Sequence, residues 1–484
     1  MQPGTEAWTV LLPELVLVGG AIFILLIDAA VPQQRGPHLA AITLVTLIAA
    51  GIVAYEQWGA PAQLALGGMV VSDSFGVFAR WVILGAGALA TLTAPGYLRP
   101  RGIDRSEFYA LLLLSTTGMT LLSVSTDLIM VFISVELLSL ALYVMAGFER
   151  GRLEAQEASM KYFLLGAFAS AFLLYGIAFV FGGTGTTNLV RIRAIASVGG
   201  LDDFRLAGVA VALLAVGLGF KASMVPFHMW TPDAYQGAPT PVTAFMAGAT
   251  KAAAFAALIR VLVLSLPALR WDWQPALSIL TVLTIIFASV VAVAQTDIKR
   301  MLAYSSISHA GFIAIAVVAA NRSGVAAALL YLLVYTAMTI GAFASVMLFK
   351  DNGGERVHIT KYSGLGVKRP AAAALFAFFL FSLAGMPPTG GFWAKWYVFF
   401  AAIRADQTWL PVVAVAGSVV AAFFYIRVAV VMFMQDPIPG DEMPLDRSVG
   451  LRAAIAICAA VVIAAGVAPG FFLSLAEKAT AFGP

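Results

Sequence analysis

The sequence predicts an all-α polytopic membrane protein with about fourteen transmembrane helices. Three observations carry this. Hydrophobic residues make up 61% of the 484-residue chain and charged residues only 11%, where a soluble domain is nearer half and a quarter; the mean hydropathy is +0.93. Fourteen segments are apolar over the length of about 20 residues that crosses a bilayer core. The loops between them are short, and their basic residues are unevenly divided between the two sides.

The segments lie near 9–31, 38–56, 74–95, 107–124, 126–147, 158–182, 206–232, 239–264, 275–295, 300–320, 325–349, 371–403, 408–434 and 450–474. No basic leader or small-residue cleavage site marks the first, so it is expected to be retained. Loops after odd-numbered segments hold 15 Lys and Arg: Arg35, Arg99, Arg101, Arg105, Arg150, Arg152, Lys299, Arg300, Lys350, Arg356, Lys361, Lys368, Arg369, Arg447 and Arg452. Loops after even-numbered segments hold 6: Arg191, Arg193, Arg205, Arg270, Arg322 and Arg404. The richer side faces the cytoplasm, which puts both termini outside, as an even number of crossings requires. The longest polar stretches, 350–370 and 435–449, are too short to be domains. Residues 1–484 are therefore expected to form a single integral membrane domain.

The interior charges follow in chain order. Glu136 sits in the middle of the fifth segment, with Ser139 and Tyr143 on the same helical face. An intramembrane carboxylate turns away from lipid and calls for a cationic partner; the plainer reading is a protonated acid that holds helices together. Lys161 lies nearer the cytoplasmic end of the sixth segment, where it can snorkel. The seventh contains Lys221, then the helix-breaking Pro226, then His228. The eighth sets Lys251 among small residues, with Thr243 and Thr250 near its face. A charge at mid-membrane costs about 3 kcal/mol and a proline inside a helix about as much. A chain that carries both together is expected to use them. His309 follows Ser305 by one turn in the tenth segment, and an imidazole there suits a proton relay as well as a satisfied core. In the twelfth, Pro387 and Pro388 break the helix and Lys395 follows. Arg260 and Arg427 read as snorkelling arginines.

Segments seven and twelve stand five apart, and an odd number of helices inverts a repeat. Residues 107–264 and 275–434 are therefore expected to be inverted five-helix units, with three helices in 1–106 before them and a C-terminal helix in 450–484 after. Broken helices at matching places in two halves point to an ion path. A lysine there keeps or yields its proton according to its burial and to the carboxylate beside it, so a changing Glu136–Lys221 separation would switch a carrier. The alternative is lysines that merely satisfy backbone carbonyls freed at the breaks.

Several chemistries are unsupported. One cysteine, Cys458, leaves no intramolecular disulfide and no cysteine-held cluster, and His38, His228, His309 and His358 lack metal-ligand spacing. GGTGTTN at 182–188 lacks the third glycine and the setting of a dinucleotide fingerprint. The net charge of +4 comes from interhelical loops and does not indicate nucleic acid. No cofactor is expected on this chain, so energy must arrive from outside.

The stretches FISVELLSLALYVMAGF, SMKYFLLGAF, GFKASMVPFHMWTPDAYQGAPTPVTAFMAGATKAA, TDIKRMLAYSSISHAGF and GMPPTGGFWAKWYVF resemble the antiporter-like subunits of the proton-pumping NADH–quinone oxidoreductase, respiratory complex I. The likeness runs from the third segment to the thirteenth and is nearest to the subunit N branch. No long lateral helix follows the fourteenth segment, and Lys395 stands where the M branch typically has glutamate. The resemblance implies fourteen helices, two inverted units with a half-channel in each, and a bacterial plasma membrane. It implies Glu136 with Lys221 as a coupling pair, Lys251 as central relay, Lys395 as exit-side carrier and Lys161 as auxiliary. His228 and His309 remain auxiliary candidates from their own chemistry. The implied partners are the lipid bilayer and the other membrane and peripheral subunits, which would hold NADH, FMN, iron–sulfur clusters and quinone. A multisubunit cation/proton antiporter of the same fold, or a structural spacer with idle lysines, would share the charge pattern.

Overall fold

In hydrocarbon only the chain itself can satisfy its backbone, so apolar runs become helices. The computed structural model describes residues 7–30, 37–198, 206–351 and 354–480; Arg35, Arg205 and the two chain ends lie outside them. The first six helices are α1 (Ala7–Ala30), α2 (Pro37–Glu56), α3 (Ser74–Leu98), α4 (Ser106–Val124), α5 (Leu128–Ala146) and α6 (Leu153–Thr184). Next come α7 (Leu189–Ser197), α8 (Ala207–Ala222), α9 (Trp230–Gly237) and α10 (Thr240–Ser265). Then follow α11 (Arg270–Val293), α12 (Ile298–Ala319), α13 (Arg322–Leu348), α14 (Pro370–Ala384) and α15 (Gly390–Ile403). The chain closes with α16 (Trp409–Met434), α17 (Val449–Val467) and α18 (Pro469–Lys478). Among the described residues, twelve helices are long and apolar enough to cross a membrane, and α8 and α14 are shorter apolar helices. Between α2 and α3 a small antiparallel hairpin pairs Gln63 with Ser72.

Both short helices stop where the prolines predict a break, and their free carbonyls can be accounted for. Ser223 takes a left-handed φ of 62° after α8, and Met224 N–H closes on Gly219 O at 2.8 Å. Gly385 takes φ 89° after α14, and Met386 N–H closes on Phe381 O at 3.0 Å. Each end is a left-handed cap followed within three residues by proline. Trp230 Nε1 covers Phe220 O at 3.0 Å, and the last carbonyl of each helix takes a partner described below.

Three expected boundaries move, the first being the start of the sixth segment, at Leu153 instead of 158. The polar run RWDWQ, read as loop, forms the first turns of α11, because Trp273 Nε1 donates to Leu266 O (2.9 Å) and Gln274 Nε2 to Val318 O (2.7 Å). The fourteenth segment ends at Val467 instead of 474, since the residue before Pro469 is pushed out of helical geometry.

Helices α10, α12 and α13 are almost wholly buried, and α1, α2, α6, α11, α16 and α17 surround them with exposed apolar faces. Arg260, on α10, does not snorkel. It is 3% exposed, its two terminal nitrogens donate to the Asp73 carboxylate at 3.0 and 2.6 Å, and its Nε donates to Ser123 O at 2.6 Å. Arg427 closes the end of α11 instead, donating to Val293 O at 2.7 Å and to Gln295 O. A further buried pair, Arg80 with Glu14 at 2.9 Å, went unremarked in the sequence.

Residues of the odd-numbered loops gather at one end of the bundle. Arg101 and Arg152 pair with Glu149 (3.6 and 3.2 Å), Arg152 and Lys299 reach Glu355 (3.8 and 3.2 Å), and Lys350 meets Asp446 (2.7 Å). Burial would push the Glu355 carboxyl up, but Lys299, the Thr240 hydroxyl, Arg101 and Arg152 hold it below its ordinary 4.5. A depressed carboxyl stabilises the fold fully above its unfolded value and loses that contribution as pH falls through the folded one. Glu355→Gln should therefore lower thermal stability of the solubilised protein near neutrality by about 2 kcal/mol. The deficit should shrink once pH drops below 4.5. A deficit that stays constant down to about pH 3 would contradict the pairing.

Candidate functional site

The two helix breaks position the lysines. Lys251, at 1% exposure, donates from Nζ to Ala222 O at 3.3 Å, the last carbonyl of α8. Lys395, on α15, donates to Ala384 O at 2.8 Å, the last carbonyl of α14, and to Ser418 Oγ at 3.2 Å. In each case an ammonium sits on the negative end of an interrupted helix. The stretch Met246–Thr250 just before Lys251 is π-helical, and Gly248 lets α13 approach it, with Thr336 Cγ2 only 3.0 Å from where a Cβ would stand.

Lys221 is held differently. Its Nζ lies over the rings of Tyr143 (5.3 Å), Tyr162 (5.2 Å) and Phe220 (5.4 Å) and has no hydrogen-bond partner among the described residues. The Tyr162 ring stacks on Trp230 at 4.3 Å, so the residue that caps α8 also walls this box. Room for Tyr143 comes from Gly166, whose Cβ would fall 1.8 Å from the tyrosine hydroxyl. Glu136, half-buried on α5, is near enough for its charge to act on Lys221, yet its Oε1 is also without a hydrogen-bond partner. Among the described residues no hydrogen bond or ion pair joins the two.

His309 lies within electrostatic reach of both Lys251 and Lys395. Its Nδ1 meets Tyr331 Oη at 2.7 Å and its Nε2 meets Tyr425 Oη at 3.4 Å, and Tyr425 also bonds Ser305. One ring nitrogen donates and the other accepts, so the imidazole can hand a proton across itself. Of the other candidates, His228 packs edge-on against Phe287 at 5.0 Å with Nδ1 unpartnered. Lys161 is outside the buried set: half-exposed, it pairs with Glu157 (2.6 Å) and Asp233 (2.8 Å), and Asp233 in turn holds Arg300 (2.6 Å).

A family model described as "NADH:quinone oxidoreductase/Mrp antiporter, TM" matches residues 125–421, a span that includes Glu136, Lys221, Lys251, His309 and Lys395. The chain belongs to this family. NADH-quinone oxidoreductase subunit N of Trichlorobacter lovleyi is 40% identical over 97% of this chain and 96% of its own length. Subunit N 1 of Herpetosiphon aurantiacus is 42% identical over the same shares. A chain of respiratory complex I from Thermus thermophilus superposes with a TM-score of 0.80 at 35% identity, covering 96% of this chain and 99% of that one. A chain of the Mrp complex from Dietzia superposes at 0.82 with 23% identity, a likeness of fold. These relatives place the chain in the subunit N branch.

Sequence reasoning about this N-branch chain missed Tyr331, Tyr425 and Ser418. A tyrosine or serine in an apolar helix carries no signal by itself; only packing brings these hydroxyls to His309 and Lys395. Among the described residues, no three His, Cys, Asp or Glu side chains group closely enough to hold a metal ion.

Proposed function

We propose that this chain is subunit N of a proton-translocating NADH–quinone oxidoreductase in a bacterial plasma membrane. NADH, FMN, iron–sulfur clusters and quinone belong to its partner subunits, and quinone reduction there drives proton movement here. Each charge moved against 100 mV requires about 2.3 kcal/mol. Protons enter from the cytoplasm near Lys221, pass to Lys251, cross by way of His309 to Lys395 and leave outside. Glu136 sets the state of Lys221, while Lys161 and His228 assist at the margins.

One observation carries this reading: each of two interrupted helices ends on a buried lysine, and a buried histidine has hydroxyl partners on both ring nitrogens. In the architecture we infer, α8 with α9 and α14 with α15 count as one crossing each, making fourteen. Residues 107–264 and 275–434 form inverted units, 1–106 contribute three helices, 450–484 the last, and both termini lie outside. The twelve long helices and the two matched breaks support that arrangement.

The test is Lys395→Met in the assembled enzyme, with proton uptake into inverted vesicles followed per NADH oxidised. Translocation should fall about tenfold or more, since a positioned proton carrier is worth at least that. Glu136→Gln, which keeps shape and removes charge, should give a several-fold loss. Unchanged rate and stoichiometry in both variants would end the assignment and leave a spacer role.

A further inference from the structure

We infer that the lipid-facing surface carries a binding site for an anionic glycerophospholipid, separate from the lysine path. A groove of about 610 Å³ lies between α2, α3 and the start of α17, at the end of the bundle that bears the odd-numbered loops. Its walls are small or aliphatic: Ala40 and Leu44 from α2, Leu92 and Pro95 from α3, Val449 from α17. Glycines let the helices meet at its floor, for a Cβ on Gly450 would lie 2.4 Å from Leu92 O and one on Gly96 3.0 Å from Ser448 Cβ. The trough continues along α2 as an exposed apolar face of Val45, Ile48, Ile52 and Tyr55.

The mouth of this groove carries three cations, Arg99, Lys350 and Arg447. Arg99 is paired with Asp104 (2.9 Å) and Lys350 with Asp446 (2.7 Å), yet both side chains remain 44% exposed. Arg447 is exposed and makes no hydrogen bond or ion pair with any described residue. Cations at the rim and an apolar trough running into the bilayer match the two ends of one molecule, a phosphate above and acyl chains below. Basic pockets between transmembrane helices hold anionic headgroups in this way. A neighbouring protein helix would need the apolar wall but not three cations at one end of it.

The assembled enzyme, reconstituted in phosphatidylcholine vesicles, should be exposed to a small fraction of phosphatidylglycerol or phosphatidylcholine bearing a photoreactive acyl chain, and the adducts mapped by mass spectrometry. Phosphatidylglycerol should label residues 40–52 about fivefold more than phosphatidylcholine, the preference that one surface cation confers. The exposed face of α6 around Phe172 should show no such bias. Arg447→Glu should abolish the preference in fully assembled enzyme, and Arg447→Lys should keep it. Equal labelling by the two lipids overturns the proposal. So does an absence of labelling by either, which would mean a partner subunit covers the groove, or a preference that survives Arg447→Glu. Loss of the preference on adding millimolar inorganic phosphate at constant ionic strength would reassign the site to free phosphate and also overturn it.

Discussion

Replacing Lys251 with methionine should stall the assembled enzyme, cutting NADH-driven proton translocation by about a hundredfold, and arginine should not rescue it. The geometry allows two roles for this side chain. Its Nζ satisfies Ala222 O, a carbonyl that the break in the seventh segment leaves open, and that alone would be a structural duty. The proposed path gives it a second role, passing a proton on toward His309. Arginine separates the roles. A guanidinium can still donate to the carbonyl, but it holds its proton at any accessible pH. If Lys251 is a carrier, Lys251→Met and Lys251→Arg should fail alike, because a positioned proton-transfer group is worth about a hundredfold or more and coupled steps stall together. If it is only a cap, Arg should restore most of the rate. Quinone reduction and vesicle acidification measured together, normalised to assembled enzyme, decide the matter; an active Lys251→Arg variant would sink the relay.

Much of this site was legible because hydrocarbon makes charge conspicuous. Glu136, Lys221, Lys251 and Lys395 stand out as ionisable groups in segments that should have none, and Pro226, Pro387 and Pro388 mark the breaks with no help from the fold. The partners were not legible, for three different reasons. Ala222 and Ala384 act through backbone carbonyls, which every residue has. Tyr331 and Tyr425 are ordinary core residues until packing turns their hydroxyls toward His309. Arg260 was misread because its partner Asp73 lies 187 positions away, and a sequence gives no measure of that distance in space. Lys161 shows the converse: a charge in an apolar run drew attention, yet it lies near enough to the bundle end to find Asp233 and Glu157 at the surface.

Breaking the Arg260–Asp73 pair should be strongly destabilising while leaving the lysine path untouched. Arg260→Met takes the guanidinium away from a carboxylate that is 2% exposed, and removing one member of a buried ion pair costs about 3–5 kcal/mol. Asp73 has a second duty, accepting from Gly76 N–H at 2.8 Å as the N-cap of α3, so the loss would spread from α10 into a helix it must pack against. The double variant Asp73→Asn with Arg260→Met removes both charges and keeps the cap, because asparagine caps about as well as aspartate. It should recover most of the loss and settle within about 2 kcal/mol of the parent, since an isolated buried pair returns little net stability once its desolvation is counted. Thermal unfolding of the solubilised protein and the amount of subunit retained in membranes both report this. Proton translocation per assembled enzyme should stay at the parental level in the double variant, because neither residue contacts Lys251, His309 or Lys395. A double variant still as unstable as Arg260→Met alone would mean that the pair stabilises the fold outright. Its burial beside Phe75 (4.9 Å) would then have to be credited with cation–π attraction that desolvation does not cancel.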